Sequence, residues 1–372
     1  MDILIITQDF PPERGGIQTY VLELARGFMA KGHVVRVICP GSPRDENPLP
    51  GLKELVRLRS PSSLLFLPLL AYLPGYLRRN PSVTHVLYAQ WQCAVAENMI
   101  PGSLRKRLKT FSLVHGRELL TSVFGPAAPF LMRRTFGRLN AAFPNSNEVL
   151  RLTREKIGDA RPLHLVHPGV DPELFQRKDA GFLRQRYALG NAPVIVSITR
   201  MVARKNLGCL IRALPDVRAA VPGARLVLGG TGPERESLVR LAARLGLGDT
   251  VLFTGRIADS EMAAHYSLGD VFALTSLSLR KDVEGFGIVY LEAGACEIPV
   301  VGGQGGGVPD AVAHGETGLL VDPENTEKLK EALIDLLRDG EKARTLGRNA
   351  RARILKSFTW TATSERVLHL MS

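Results

Sequence analysis

The chain has 372 residues, 45% of them hydrophobic and 23% charged, enough for two domains of ordinary size with a buried core each. Lys and Arg number 48 against 36 Asp and Glu, a net charge of +12 that favours anionic partners: phosphorylated substrates, a phospholipid surface or nucleic acid. Aromatics are only 6% of residues and no basic segment is interleaved with them, which sets nucleic acid aside.

The four cysteines (Cys39, Cys93, Cys209, Cys296) lie far apart without metal-ligand spacing, as in a reduced cytosolic protein. The first predicted strand, Asp2 to Thr7, begins at once and leaves no room for a secretory leader, so a cytoplasmic location is expected. A loop through Pro11 and Pro12 ends in Gly15 and Gly16, and a helix is predicted from about Gly16 to Lys31 on the spacing of Ile17, Tyr20, Val21, Leu24 and Phe28. Two glycines at a helix start let backbone N–H groups approach a phosphate. Further strands are predicted at Val34–Cys39, His85–Ala89, Phe111–His115 and Ala141–Asn145.

Within this half, SLLFLPLLAYLPGYLRRN (Ser63 to Asn80) is interrupted by Pro68, Pro74 and Gly75. It falls short of the ~18–20 unbroken apolar residues of a membrane-spanning helix. Arg57 and Arg59 precede it, Arg78 and Arg79 follow it, and GSLRKRLKT (Gly102 to Thr110) adds further cations. Two expectations stand side by side: a core helix with a solvated basic end, and an apolar face resting on an anionic bilayer.

The pattern restarts after a Pro- and Gly-rich stretch, HPGVDPELFQRKDAG (His167 to Gly181), that suits a linker. Strands are predicted at Pro193–Thr199, Arg225–Gly229, Thr250–Thr254, Asp270–Leu274, Pro299–Val301 and Gly318–Val321. Buried runs alternating with helices imply parallel sheets covered on both faces, so the fold class is α/β with two Rossmann-like domains.

Arg200 lies just beyond the first of these strands and Lys205 at the start of the next helix. Ligands in open α/β sheets bind outside the carboxyl ends of strands, where two cations can neutralise a pyrophosphate. Arg204 is expected to be a solvated neighbour. The segment DVEGFGIVYLEAGACEIPVV then spaces Glu284 and Glu292 eight positions apart, with Phe286, Gly287 and Ile288 opening a helix that runs to about Cys296. Bare N–H groups at that helix start suit a phosphate. Glu292, a turn or more along, suits a vicinal diol such as a ribose. Glu284 suits sugar hydroxyls, and His115, at a strand's carboxyl end, is placed to touch one as well. Arg117 and Glu118, which follow it, are candidates for an ion pair. Asp282 and Glu284 form D-x-E, but no D-x-D stands in a suitable context, and no metal is expected.

The spacing of Glu284 and Glu292 resembles the E-x7-E element of the family-4 retaining glycosyltransferases of the GT-B fold, two Rossmann-like domains facing across a cleft. The resemblance also runs through PPERGGIQTYVLELARGFMAKGHVVRVI, HGRE, HPGVDPELF, SITRMVARKN, GGTGPE, FTGRI, GGQGGGVPDAV and HGETGLLVDP, in that order. It implies an acceptor-side domain over 1–168, a nucleotide-sugar domain over 169–356, and a final helix, 357–372, that returns to the first.

By the same resemblance Gly15 and Gly16 contact the donor pyrophosphate and shape the acceptor pocket, and His115 lies beside the reacting sugar. Gly230 lies against the donor, and Arg256 and Ile257 belong to the base-binding segment. Arg200, Lys205 and the amides of Phe286 to Ile288 hold the pyrophosphate, while Glu284 holds the sugar and Glu292 the ribose. The reaction implied is metal-independent, retaining transfer of a hexose from GDP-mannose or a UDP-hexose, the nucleotide sugar being a co-substrate and no cofactor being needed. The acceptor implied is a hydroxyl of a cell-envelope glycolipid or glycan, with peripheral contact to the inner face of the membrane and no nucleic acid partner. A soluble small-molecule acceptor remains an alternative. A remoter one, an NAD-dependent oxidoreductase, lacks a complete G-x-G-x-x-G followed by an acidic residue.

Overall fold

Twelve short runs become strands, six in each half of the chain, most of them because they are buried on both faces and rich in β-branched and other apolar residues. The computed structural model describes residues 1–12, 15–42, 45, 47–158 and 161–372. It divides into two compact units, Met1–Pro168 with Trp360–Ser372, and Gly169–Thr359. Glu13 and Arg14 of the PPERGG loop lie outside the described residues.

The first unit holds β1 (Asp2–Ile6), β2 (Val34–Pro40), β3 (Glu54–Leu58), β4 (His85–Tyr88), β5 (Lys109–Val114) and β6 (Ala141–Pro144), in the order β3-β2-β1-β4-β5-β6. Every pair is parallel. Strand β3 is absent from the sequence expectation. Its five residues include Glu54 and Arg57, and it is recognisable only through its pairing along the edge of β2. The helix Gly16–Ala30 turns Tyr20, Val21, Leu24, Ala25 and Phe28 inward. It packs on the helix Trp360–Met371, with the Tyr20 and Trp360 rings 5.5 Å apart. Each large side chain buried in this way contributes roughly 1.5–3 kcal/mol.

The Leu- and Pro-rich stretch forms the helix Phe66–Arg79, with Pro74 inside it. Phe66, Leu69, Leu73, Tyr76 and Leu77 face the core, whereas Leu67 is 52% exposed and Leu64, just before the helix, 36%. The core expectation therefore accounts for one face and leaves the other open. Arg107 differs from its neighbours in the basic cluster. Its guanidinium donates to the carbonyls of Leu77 at 2.5 Å and Val83 at 3.4 Å, and to that of Pro81. It thus caps the helix's carboxyl end.

The second unit repeats the plan with β7 (Val194–Ile198), β8 (Arg225–Gly229), β9 (Val251–Gly255), β10 (Val271–Leu274), β11 (Val300–Gly303) and β12 (Gly318–Val321). The order is β12-β11-β10-β7-β8-β9, again all parallel. The backbone N–H of Val170 donates to the carbonyl of Phe358 at 2.8 Å, tying the unit's two ends together.

Candidate active site

In both sheets the chain reverses its direction of travel beside the first strand, between β1 and β4 and between β7 and β10. Loops leaving the carboxyl ends of such a pair diverge and open a crevice. The chemistry-bearing residues of each unit collect at that edge.

In the second unit, Arg200 leaves β7 exposed to solvent, and a 3-10 turn, Ala203–Lys205, follows. Lys205 is buried, and its ammonium reaches Glu284 Oε2 at 2.5 Å. The guanidinium of Arg204 meets the same oxygen at 2.7 Å and Asp282 Oδ2 at 3.2 Å. Ser276 Oγ, just beyond β10, donates to that oxygen at 2.8 Å. Burial alone would push the Glu284 carboxyl up, but Lys205 and Arg204 outweigh it and hold it at about 2. Burial also pushes the Lys205 ammonium down, opposed by Glu284. For Arg204, burial works against the charge, yet Glu284 and Asp282 prevail and raise its pKa. The expectation of a solvated Arg204 is thus corrected. It looked dispensable beside Lys205 because a sequence does not show that Asp282 and Glu284 return to the same turn.

Gly287 starts the helix Ile288–Ala295 at φ +91°, where any Cβ would sit 2.5 Å from the Tyr290 ring. The side chain of Phe286 is buried against Phe358, ring centroids 6.0 Å apart, so only the backbone of this residue is available to a ligand. Glu292 is partly exposed, and its Oε2 accepts from the hydroxyl of Tyr266 at 2.5 Å. Burial raises its pKa to about 7, against the pull of that hydrogen bond.

Gly230, at φ +111°, crosses the end of β7 so closely that a Cβ would lie 2.1 Å from the Thr199 carbonyl oxygen. Packing thus accounts for the glycines of GGTGPE. Ile257 is in the core, its side chain over Gly229, while Arg256 is exposed.

In the first unit, the exposed Gly15 and Gly16 open the helix Gly16–Ala30. His115, one residue past β5, is buried edge-on to Tyr20, centroids 5.5 Å apart. Its Nε2 lies 2.9 Å from the carbonyl oxygen of Ala89. A carbonyl only accepts, so Nε2 carries the proton and Nδ1 is left as an acceptor. Burial lowers the imidazole's pKa and keeps it neutral. The expected Arg117–Glu118 ion pair is not formed: Glu118 Oε1 accepts from the backbone N–H of His115 at 2.5 Å, and Arg117 is exposed.

Sequence reasoning missed a polar cluster beside His115's edge of the sheet. Asp9 accepts from Gln18 Nε2 at 3.1 Å and from Gln90 Nε2 at 2.8 Å, joining the loops after β1 and β4 to the first helix. Residues 9, 18 and 90 share no motif, and only the parallel pairing of β1 with β4 makes them neighbours. Tyr266 was missed for the same reason, since it lies 26 residues from Glu292.

Residues 14–174 match the family described as Glycosyltransferase Family 4, and residues 180–353 match Glycosyl transferases group 1. The chain is 36% identical to a GDP-mannose-dependent alpha-(1-6)-phosphatidylinositol monomannoside mannosyltransferase of Mycolicibacterium smegmatis, covering 100% of this chain and 98% of that protein. A protein of the same description from Mycobacterium tuberculosis is 34% identical over 98% of this chain and 96% of its own length. Among solved structures, sucrose-phosphate synthase from Thermosynechococcus elongatus superimposes with a TM-score of 0.83 at 25% identity, covering 99% of this chain and 98% of that one. Two parallel six-stranded sheets, both family matches and full-length relatives above 30% identity make this chain a member of the family-4 glycosyltransferases, with the GT-B fold.

Proposed function

We propose that this glycosyltransferase moves a mannosyl residue from GDP-mannose to a hydroxyl of a phosphatidylinositol mannoside-type glycolipid, with retention of configuration and without a metal ion. The observation that carries this reading is the anchored Glu284, held by Lys205, Arg204 and Ser276 at the switch point of the second sheet. The full-length similarity to mannosyltransferases so described supports the donor and acceptor. Glu284 takes sugar hydroxyls and Glu292 the ribose. The N–H groups of Phe286, Gly287 and Ile288, with Arg200 and Lys205, take the pyrophosphate. Gly230, Arg256 and Ile257 contribute through their backbone, Gly230 near the phosphates and the other two at the base. In the first unit His115 is assigned to the sugar, and Gly15 and Gly16 to the phosphate and acceptor.

Positive charge on the leaving phosphate is what a divalent ion would otherwise supply. Here Arg204 and Lys205 already neutralise the D-x-E pair, so Asp282 and Glu284 are not open to a hard cation. The acceptor oxygen attacks the anomeric carbon from the face that the nucleotide leaves. The bond to phosphate breaks, and a phosphate oxygen of the departing GDP takes the acceptor's proton.

A membrane contact is proposed for the first unit. Leu64, Leu67, Met99, Val123 and Phe130 are exposed on neighbouring segments, Phe130 by 71%. Arg78, Arg79, Arg133 and Arg134 are exposed in the same helices. Apolar side chains rimmed by cations suit an anionic bilayer.

The test is transfer from labelled GDP-mannose to phosphatidylinositol mannoside lipids in excess chelator, with the product's anomeric configuration read by NMR. An α-mannosylated lipid is expected. Turnover only with a UDP-sugar would overturn the donor, an inverted product the stereochemistry, and chelator-sensitive turnover the metal independence.

A further inference from the structure

Tyr266 lies on the short helix Met262–Ser267 and is fully buried, its ring set between Phe175 and Phe272 with centroids 5.9 and 5.7 Å away. A tyrosine enclosed by aromatic rings needs a partner for its hydroxyl, and here that partner is a glutamate at the ligand edge of the sheet. We propose that Tyr266 is a positioning residue for Glu292: its hydroxyl donates to Oε2 and so turns the carboxylate's remaining lone pairs towards the two ribose hydroxyls of the bound nucleotide.

The inference rests on the assignment of Glu292 to the ribose. A carboxylate has about four acceptor positions, and a vicinal diol brings two donors. One fixed bond to a rigid phenol removes the carboxylate's freedom to rotate before the nucleotide arrives, so less ordering is needed on binding. Tyr266 also favours the ionised form of Glu292, opposing the burial that raises its pKa to about 7. The Cys296 thiol interacts electrostatically with both Tyr266 and Glu292, and the Arg351 and Lys178 cations act on Cys296 in turn. Asp310 and Arg353, on the two other helices packed against Ile288–Ala295, interact with one another.

The experiment compares binding of GDP and 2′-deoxy-GDP by calorimetry in wild type, Tyr266→Phe and Glu292→Gln. The wild type is expected to prefer GDP by roughly tenfold or more, the worth of hydrogen bonds to a charged group. Tyr266→Phe should lose most of that preference, and the double variant should lose no more than Glu292→Gln alone. The KM for GDP-mannose, whose diphosphate does not titrate near neutrality, should fall as pH rises through about 7. Its midpoint should move to higher pH in Tyr266→Phe, with kcat at saturating donor little changed. Replacing Tyr266 with 3-fluorotyrosine keeps the shape and strengthens the donor, so its midpoint should move to lower pH. That readout decides the matter if Tyr266→Phe does not fold. A wild type without preference for GDP would overturn the ribose assignment and this proposal together. A preference that Glu292→Gln abolishes and Tyr266→Phe leaves intact would overturn the role of Tyr266 alone.

Discussion

The two units share one strand order and one crossover pattern, yet their ligand edges differ in kind. The second edge is ionic: Lys205, Arg204, Asp282 and Glu284 are joined by three charge contacts of 2.5 to 3.2 Å. The first edge is built from neutral donors and two separate carboxylates, with His115, Gln18 and Gln90 around Ala89, Asp9 and Glu118. The sheet fixes only where loops emerge, and the loops choose the chemistry.

Breaking the ionic edge should have the largest effect. Lys205→Ala or Arg200→Ala is expected to cut turnover by about 10²-fold or more, because each removes charge aimed at the leaving group. Steady-state kinetics with near-normal turnover in both variants would refute the assignment. Lys205→Ala should also weaken the fold, since Glu284 loses a buried partner. Arg200→Ala should not, since Arg200 is exposed.

Acid titration is the next largest expected effect. The folded pKa of Glu284, about 2, lies below the unfolded value of 4.5, so its ion pairs stabilise the protein above about pH 4.5. That contribution is lost as pH falls towards 2, and it amounts to roughly 3 kcal/mol. Denaturant unfolding should therefore show the stability gap between wild type and Glu284→Gln closing on acidification. A gap constant from neutral pH down to 3 would contradict the pairing.

The membrane face of the first unit should be weaker still, at about 1 kcal/mol per basic residue near the bilayer. Changing Arg78, Arg79, Arg133 and Arg134 to glutamine is expected to abolish co-sedimentation with anionic vesicles at low salt and to lower the melting temperature only slightly, through the one hydrogen bond that Arg133 donates to the Lys156 carbonyl. Arg107→Gln should do the reverse, lowering the melting temperature through the lost helix cap. Vesicle binding that survives the fourfold change would favour a soluble acceptor.

Least of all should change at His115. Burial lowers its pKa from 6.5, so the imidazole is neutral throughout the physiological range. No His115-dependent limb is expected in kcat near pH 6.5, and a limb there that His115→Gln removes would show that the ring titrates in place.

Much of this protein was legible in its letters. Val- and Ile-rich runs are buried in parallel sheets whichever neighbours they acquire, so eleven of the twelve strands could be located by pattern. The pairing of Gly287 with a helix start, and of Glu292 with that helix, depends on contacts a few residues long, and sequence encodes such contacts directly. What the letters left open is what lies far apart along the chain. β3 exists because β2 offers it an edge. Arg204 is held by residues 78 and 80 positions away. Tyr266 reaches Glu292, and Asp9 reaches Gln90, only after crossovers bring separate strand ends together. The same holds for Arg107, a surface cation by its sequence and a helix cap by its contacts. Local propensity specifies elements, whereas the partner of a charged or hydroxyl group is set by which loops share an edge, and topology alone decides that.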